Sequence, residues 1–182
     1  MNKYIKEKLL LFRITSRKDP EAYGKVYDEY VNRIYRFIYF KVSGEEEARD
    51  LVSETFLRAW QYLQEGKQIK QLSSFLYKIA RNLVIDHYRK KAMSVLTESE
   101  LPAAMFGDEG RQGKEIETKH DFGLLLAAMN KMKEEYREVV QLKYIDGLSV
   151  GEIADILDKN RGAVRVTLHR ASKTLRELMN KS

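Results

Sequence analysis

Apolar residues return every three or four positions along almost the whole of this 182-residue chain. That period belongs to helices with one buried face, whereas a half-buried strand alternates in twos. Between Glu21 and Val42 the apolar positions are Tyr23, Val26, Tyr27, Tyr30, Val31, Ile34, Phe37 and Ile38. Ser43-Gly44 interrupts the rhythm, and Ser43 with Glu46 three residues on predicts a capping box at the next helix. That helix runs to about Gln64. It turns Ala48, Leu51, Val52, Thr55, Phe56, Ala59 and Leu63 inward and Glu47, Asp50, Glu54, Arg58 and Gln61 outward. Residues 65–72 contain Gly66 and read as a loop. Ser73 or Ser74 then caps a third helix reaching about Lys91. Its helical wheel buries Phe75, Leu76, Ile79, Ala80 and Leu83 and places Tyr77, Lys78, Arg81, Ile85 and Tyr88 on the far side.

The period is lost over 93–118, where Pro102, Gly107, Gly110 and Gly113 lie among acidic and small polar residues. This is the composition of a linker. Helices resume at about 120–131 and 134–145, the second ended by Asp146-Gly147 with glycine supplying a left-handed cap. Ser149 and Glu152 form a second capping box for a short helix over 149–157. Asp158-Lys159-Asn160 reads as a tight turn, and a last helix runs from Arg161 to about Met179 on a stripe of Val164, Leu168, Ala171, Leu175 and Leu178. The expected fold is all-α, two small helical domains on a flexible linker. The boundaries are a basic extension at 1–20, a first domain at 21–92, a linker at 93–119 and a second domain at 120–182. Only four apolar residues, Leu9–Phe12, follow the N-terminal lysines, too few for a signal-peptide core. The expected location is therefore the cytoplasm, with no membrane insertion.

The net charge of +6 is unevenly spread. Residues 67–92 carry +6 and residues 158–182 carry +5, while 21–66, 93–120 and 121–157 each carry −3. Two basic islands separated by acidic stretches suit a polyanion touched at two places. The chain has no cysteine, which excludes a disulfide framework, a thiolate metal site and a cysteine nucleophile.

Residues 149–178 have the pattern of a helix-turn-helix: a short helix, a three-residue turn and a longer basic helix. With Val164 facing its partner, the outward arc of the last helix holds Gly162, Arg165, Val166, His169, Lys173 and Arg176. Arg165 has the fork geometry for guanine and Val166 the methyl contact for thymine, while Lys173 and Arg176 lie further along, where phosphates run. In the other island, Tyr77, Lys78, Arg81 and Tyr88 interleave rings and cations on one helical face, flanked by Asn82 and His87. Rings stack bases and cations hold the backbone of a single strand.

These segments together resemble a bacterial RNA polymerase sigma factor of the extracytoplasmic-function (ECF) group of the sigma-70 family. AYGKVYDEYVNRIYRFIYFKV (22–42), EEEARDLVSETFLRAWQYL (45–63) and SSFLYKIARNLVIDHYRKK (73–91) resemble region two. LLLAAMNKMKEEYREVVQLKYIDGLSVGEIADIL (124–157) and DKNRGAVRVTLHRASKTLREL (158–178) resemble region four. The resemblance implies an initiation factor that binds core RNA polymerase, through the beta-prime clamp and the beta flap, and directs it to promoter DNA without chemistry of its own. It assigns polymerase contacts to Asp50, Glu54, Arg58 and Gln61. It assigns the melted minus-ten strand to Tyr77, Lys78, Arg81, Asn82 and Tyr88, with loop 65–72 as the pocket for a flipped base. It assigns the minus-thirty-five element to Arg161, Arg165, Val166, His169, Arg170 and Lys173. It further implies an anti-sigma inhibitor, and neither metal nor cofactor.

Two other readings compete. A dimeric repressor working without polymerase needs a dimer seam, and no long heptad is visible. A helical-bundle enzyme finds only Glu117 and His120 at the i, i+3 spacing of half a di-iron site, where two such motifs are needed.

Overall fold

Pro20 starts an amphipathic stretch of 20 residues, and Asp19 before it closes the helix end: its carboxylate accepts from the amides of Glu21 and Ala22 at 3.0 and 3.1 Å. Caps of this kind recur in the computed structural model, which describes residues 3–97 and 116–180, with side chains within 5–93 and 123–180. The helices are α1 Lys3–Arg17, α2 Pro20–Tyr39, α3 Glu45–Gln64, α4 Leu72–Thr97, α5 Ile116–Asn130, α6 Glu134–Val140, α7 Val150–Leu157 and α8 Arg161–Met179. A π-helical turn, Gln141–Ile145, continues α6. No strand occurs among the described residues. Contacts divide the chain into two compact units, one up to Gly107 and one from Asp108.

In the first unit α2, α3 and α4 pack on one another, and α1 packs on α2 and α3. The stretch read as a basic extension is thus part of the bundle. Leu10 and Ile14 of α1 are buried, and Glu7 accepts a hydrogen bond from the buried Tyr30 hydroxyl at 2.8 Å. Burial first, and then the Glu7 carboxylate, push the Tyr30 phenol well above its ordinary range. Tyr23 ties α2 to α3 by donating to the Phe56 carbonyl at 2.5 Å.

Two local expectations fail at helix starts. Ser43 is not the cap residue of α3: that place is taken by Gly44, in extended backbone, with no side-chain cap bond. Glu45, Glu46 and Glu47 crowd that first turn instead, where the helix dipole favours negative charge. The third helix begins at Leu72, so Ser73 and Ser74 lie inside its first turn, and the helix continues beyond Lys91 to Thr97.

The second unit follows the sequence pattern closely. Lys143, Tyr144 and Ile145 lie in the π turn, and Gly147 takes a left-handed φ of 69° after it. Both bonds of the Ser149–Glu152 box are made, at 2.8 and 3.2 Å. Asp158 is left-handed (φ 52°) at the end of α7, and the Asn160 side chain caps α8 by accepting from the Ala163 amide at 2.8 Å.

Candidate nucleic-acid interface

The α7–turn–α8 motif is fixed from both sides. Val164, Leu168 and Ala171 of α8 are buried, opposite Ile153, Ala154 and Ile156 of α7. Burying one stripe forces the rest of α8 outward, so Arg161, Arg165, Val166, His169, Arg170 and Lys173 are all exposed. Val166 is an apolar side chain left 51% open among cations. Arg161, Arg165 and Arg170 make no hydrogen bond or ion pair among the described residues, while Lys173 reaches Glu177 only at 4.0 Å. Unpaired guanidiniums hold all their donors in readiness for an anion. The turn is braced from behind by an ion pair between Lys159 and Glu135 of α6.

The outward face of α3 is electrostatically different. Arg58 pairs with Glu54 at 2.6 Å and Arg49 with Glu45 at 2.6 Å, and Asp50 and Gln61 are exposed beside them. Its cations are already neutralised by helical neighbours, which suits a protein surface better than a phosphate backbone. Leu57, 51% exposed, lies on the same stripe as Asp50, Glu54, Arg58 and Gln61. In the sequence it belongs to neither the buried stripe nor the charged set, so nothing there marks it.

On α4 the basic island is only partly as expected. Lys78 and Arg81 are half-buried, Asn82 is exposed, and the three share one face at i, i+3, i+4 spacing. Tyr88 is 37% exposed and its hydroxyl donates to the Lys41 carbonyl at 2.5 Å. Tyr77 does not join them. Its side chain is wholly buried, edge-on to Phe37 at 5.1 Å between ring centroids, so it presents no face to a base. The cause is that α4 packs against both α2 and α3. A helix between two neighbours buries a wide arc, and Leu72, Leu76, Tyr77, Ala80, Leu83 and Val84 all turn inward, leaving Phe75 and Ile79 half-exposed.

The loop before α4 spans Glu65 to Gln71 and holds no ring of its own. Tyr62 and Phe75 flank it with centroids 4.9 Å apart, and the Lys67 ammonium lies 5.0 Å above the Tyr62 ring. Both rings lie just outside the segment read as loop, which is why the sequence hid them. At the far end of α4, Glu47 receives His87 at 3.7 Å and Lys91 at 3.4 Å. In the second unit a groove of about 470 Å³ is lined by Leu125, Met129, Val140, Tyr144, Leu175 and Met179 among others. Among the described residues there is no cluster able to hold a metal and no helix long and apolar enough to cross a membrane. Glu117 and His120 lie outside the described side chains.

Comparison with known proteins agrees with this division. Residues 26–93 match the family model for sigma-70 region 2, and residues 122–175 match that for sigma-70 region 4. The chain is 34% identical over 163 residues to the ECF RNA polymerase sigma factor BldN of Streptomyces coelicolor, a match covering 88% of this chain but 61% of BldN's length. It is 32% identical over 170 residues to ECF RNA polymerase sigma factor SigW of Bacillus subtilis, covering 87% of this chain and 89% of SigW. Among solved structures, CnrH, determined with the cytosolic domain of CnrY, has the same fold, with a TM-score of 0.73 at 20% identity over 97% of this chain and 99% of that one. RpoE from Bartonella quintana, determined with the anti-sigma factor NepR, gives 0.71 at 21% identity, over 86% and 96%. With both regions matched in order and SigW covered almost end to end, the chain belongs to the ECF RNA polymerase sigma factors, transcription initiation factors of the sigma-70 family.

Proposed function

We propose that this chain binds core RNA polymerase, brings it to specific promoters, opens the minus-ten element and reads the minus-thirty-five element, without catalysis and within the cytoplasm. The observation that carries this is the pair of contrasting helices. Unpaired arginines line an α8 whose turn and cap are fully formed, whereas α3 presents ion-paired charges around one exposed leucine. Residues 21–92 then form region two, with α1 packed upon it, residues 93–119 the linker and residues 120–182 region four.

In this reading Asp50, Glu54, Leu57, Arg58 and Gln61 meet the beta-prime clamp, and the groove beside Tyr144 receives an apolar segment of the beta flap. Lys78, Arg81, Asn82 and Tyr88 hold the displaced strand. A flipped base costs a few kcal/mol of unstacking, and the Tyr62–Phe75 pair beside loop 65–71 offers the stacking surface that offsets it. Arg165, Val166 and His169 face the bases of the upstream element, with Arg161, Arg170 and Lys173 along its flanks. RpoE was determined with the anti-sigma factor NepR and CnrH with the cytosolic domain of CnrY, which supports an anti-sigma partner here. Co-purification from the native host tests that partner, and recovery of polymerase subunits alone counts against it.

Run-off transcription with core polymerase and a library of random promoters tests the whole. Initiation at a selected common sequence is expected. Failure at every sequence overturns the proposal, as does tight duplex binding by the free protein alone.

A further inference from the structure

Arg161 opens α8, yet its guanidinium is turned back over α7. A methyl group placed on Gly151 would stand 3.3 Å from Nη2, 3.5 Å from Nε and 3.6 Å from Cζ. Three atoms of a planar group at nearly equal distances mean that it lies across the Gly151 backbone rather than pointing at it. Gly151 is the second residue of α7, where alanine would be the better helix former. The backbone does not demand glycine, because left-handed glycines among the described residues are confined to Gly66 and Gly147. What the missing side chain leaves is a flat seat. The guanidinium resting on it has no hydrogen bond or ion pair among the described residues.

We infer that Arg161 is a backbone-phosphate anchor rather than a base reader, and that Gly151 is the positioning residue that directs it. This rests on the reading of α8 as the helix that enters the duplex. A base-reading side chain must extend from the first turns of that helix into the groove, whereas the first helix of the motif crosses the sugar-phosphate backbone. A guanidinium laid on α7 is withdrawn from the bases and presented where phosphates pass. Arg165, one turn further along α8, has no such seat and remains the reader.

The test uses the full chain assembled with core polymerase, on duplexes randomised in the upstream element and over a range of salt. Arg161→Ala should weaken binding roughly tenfold for all sequences alike, flatten the log–log salt slope by about one, and leave sequence preference unchanged. Arg165→Ala should instead relax preference at one or two positions. Gly151→Leu should reproduce the uniform loss without removing any charge, and should add nothing in the Arg161→Ala background. Melting curves check that each variant is folded, and Gly151→Gln repeats the test with an exposed-helix side chain. A changed preference at one base pair in Arg161→Ala overturns the anchor. Equal losses from Gly151→Leu in both backgrounds overturn the seat. If Arg165→Ala alters neither affinity nor preference, the placement of α8 in the duplex has failed instead.

Discussion

Arg165 and Tyr77 show how differently single residues constrain the function. Arg165 is exposed, unpaired and on the far side of α8 from Val164. Replacing it by glutamate sets a carboxylate against phosphates and removes the guanine fork, so Arg165→Glu should abolish initiation at promoters that need the upstream element while polymerase binding persists. Loss of polymerase binding in a pull-down would refute that division of labour. Tyr77 belongs to the core. Tyr77→Ala should cost about 3–5 kcal/mol of unit-one stability in urea titration, while Tyr77→Phe should leave strand opening, followed by permanganate footprinting, unchanged. A selective opening defect in Tyr77→Phe would return the residue to the DNA face. The contrast also marks what a helical wheel can tell. On α8 a single buried stripe gives the outward arc unambiguously, and the nominated residues are all exposed. On α4 the buried arc runs from Leu72 and Leu76 round to Tyr77 and Val84, and the wheel put an aromatic on the wrong side of its edge.

Helices as units were legible where their ends carry side-chain chemistry. The Ser149–Glu152 box announces α7 to within a residue, and the turn read at Asp158-Lys159-Asn160 sets the start of α8, where the structure adds the Asn160 cap. Ser149→Ala should destabilise unit two by about 1 kcal/mol, measured by thermal melting, and lower upstream-element affinity with it. Where a cap is only geometric the sequence misleads, as at Gly44, because serine one position earlier draws the helix start to itself. Asp19 is the informative cap of unit one. The Ala22 amide and the Arg13 side chain hold its carboxyl below the ordinary value of 3.8, against the opposing effect of burial. A lowered folded-state value stabilises the fold above pH 3.8 and loses that contribution as pH falls through the folded value. Asp19→Asn should therefore reduce stability at neutral pH and narrow the gap from wild type in acid. An unchanged gap across an acid titration would show that the cap carries no charge-dependent part. Helix α1 was the least legible element. Its buried contribution is chiefly Leu10 and Ile14, two residues in a lysine-rich stretch, too few to set a period.

At the scale of the molecule, charge is the property that composition understated. A total of +6 conceals one unit with self-neutralised charges on α3 and another with guanidiniums left unpaired on α8. Each phosphate contact releases counterions and steepens the salt dependence by about 0.9. Removing Arg161 and Arg170 together should flatten the holoenzyme–promoter slope by about two, and no change in slope would place these groups away from the phosphates.

The packing of α1 reaches into laboratory practice. Similarity to region 2 begins at residue 26, inside α2. A fragment excised there would discard Leu10, Ile14 and Ala22, the Asp19 cap and the Tyr23 anchor, and would open an oily trench along Val26 and Tyr30. Expressed that way, the piece should collect in inclusion bodies, whereas one starting at Lys3 should stay in the soluble lysate. The start of the region-2 match and the start of the folding unit lie more than twenty residues apart in this chain.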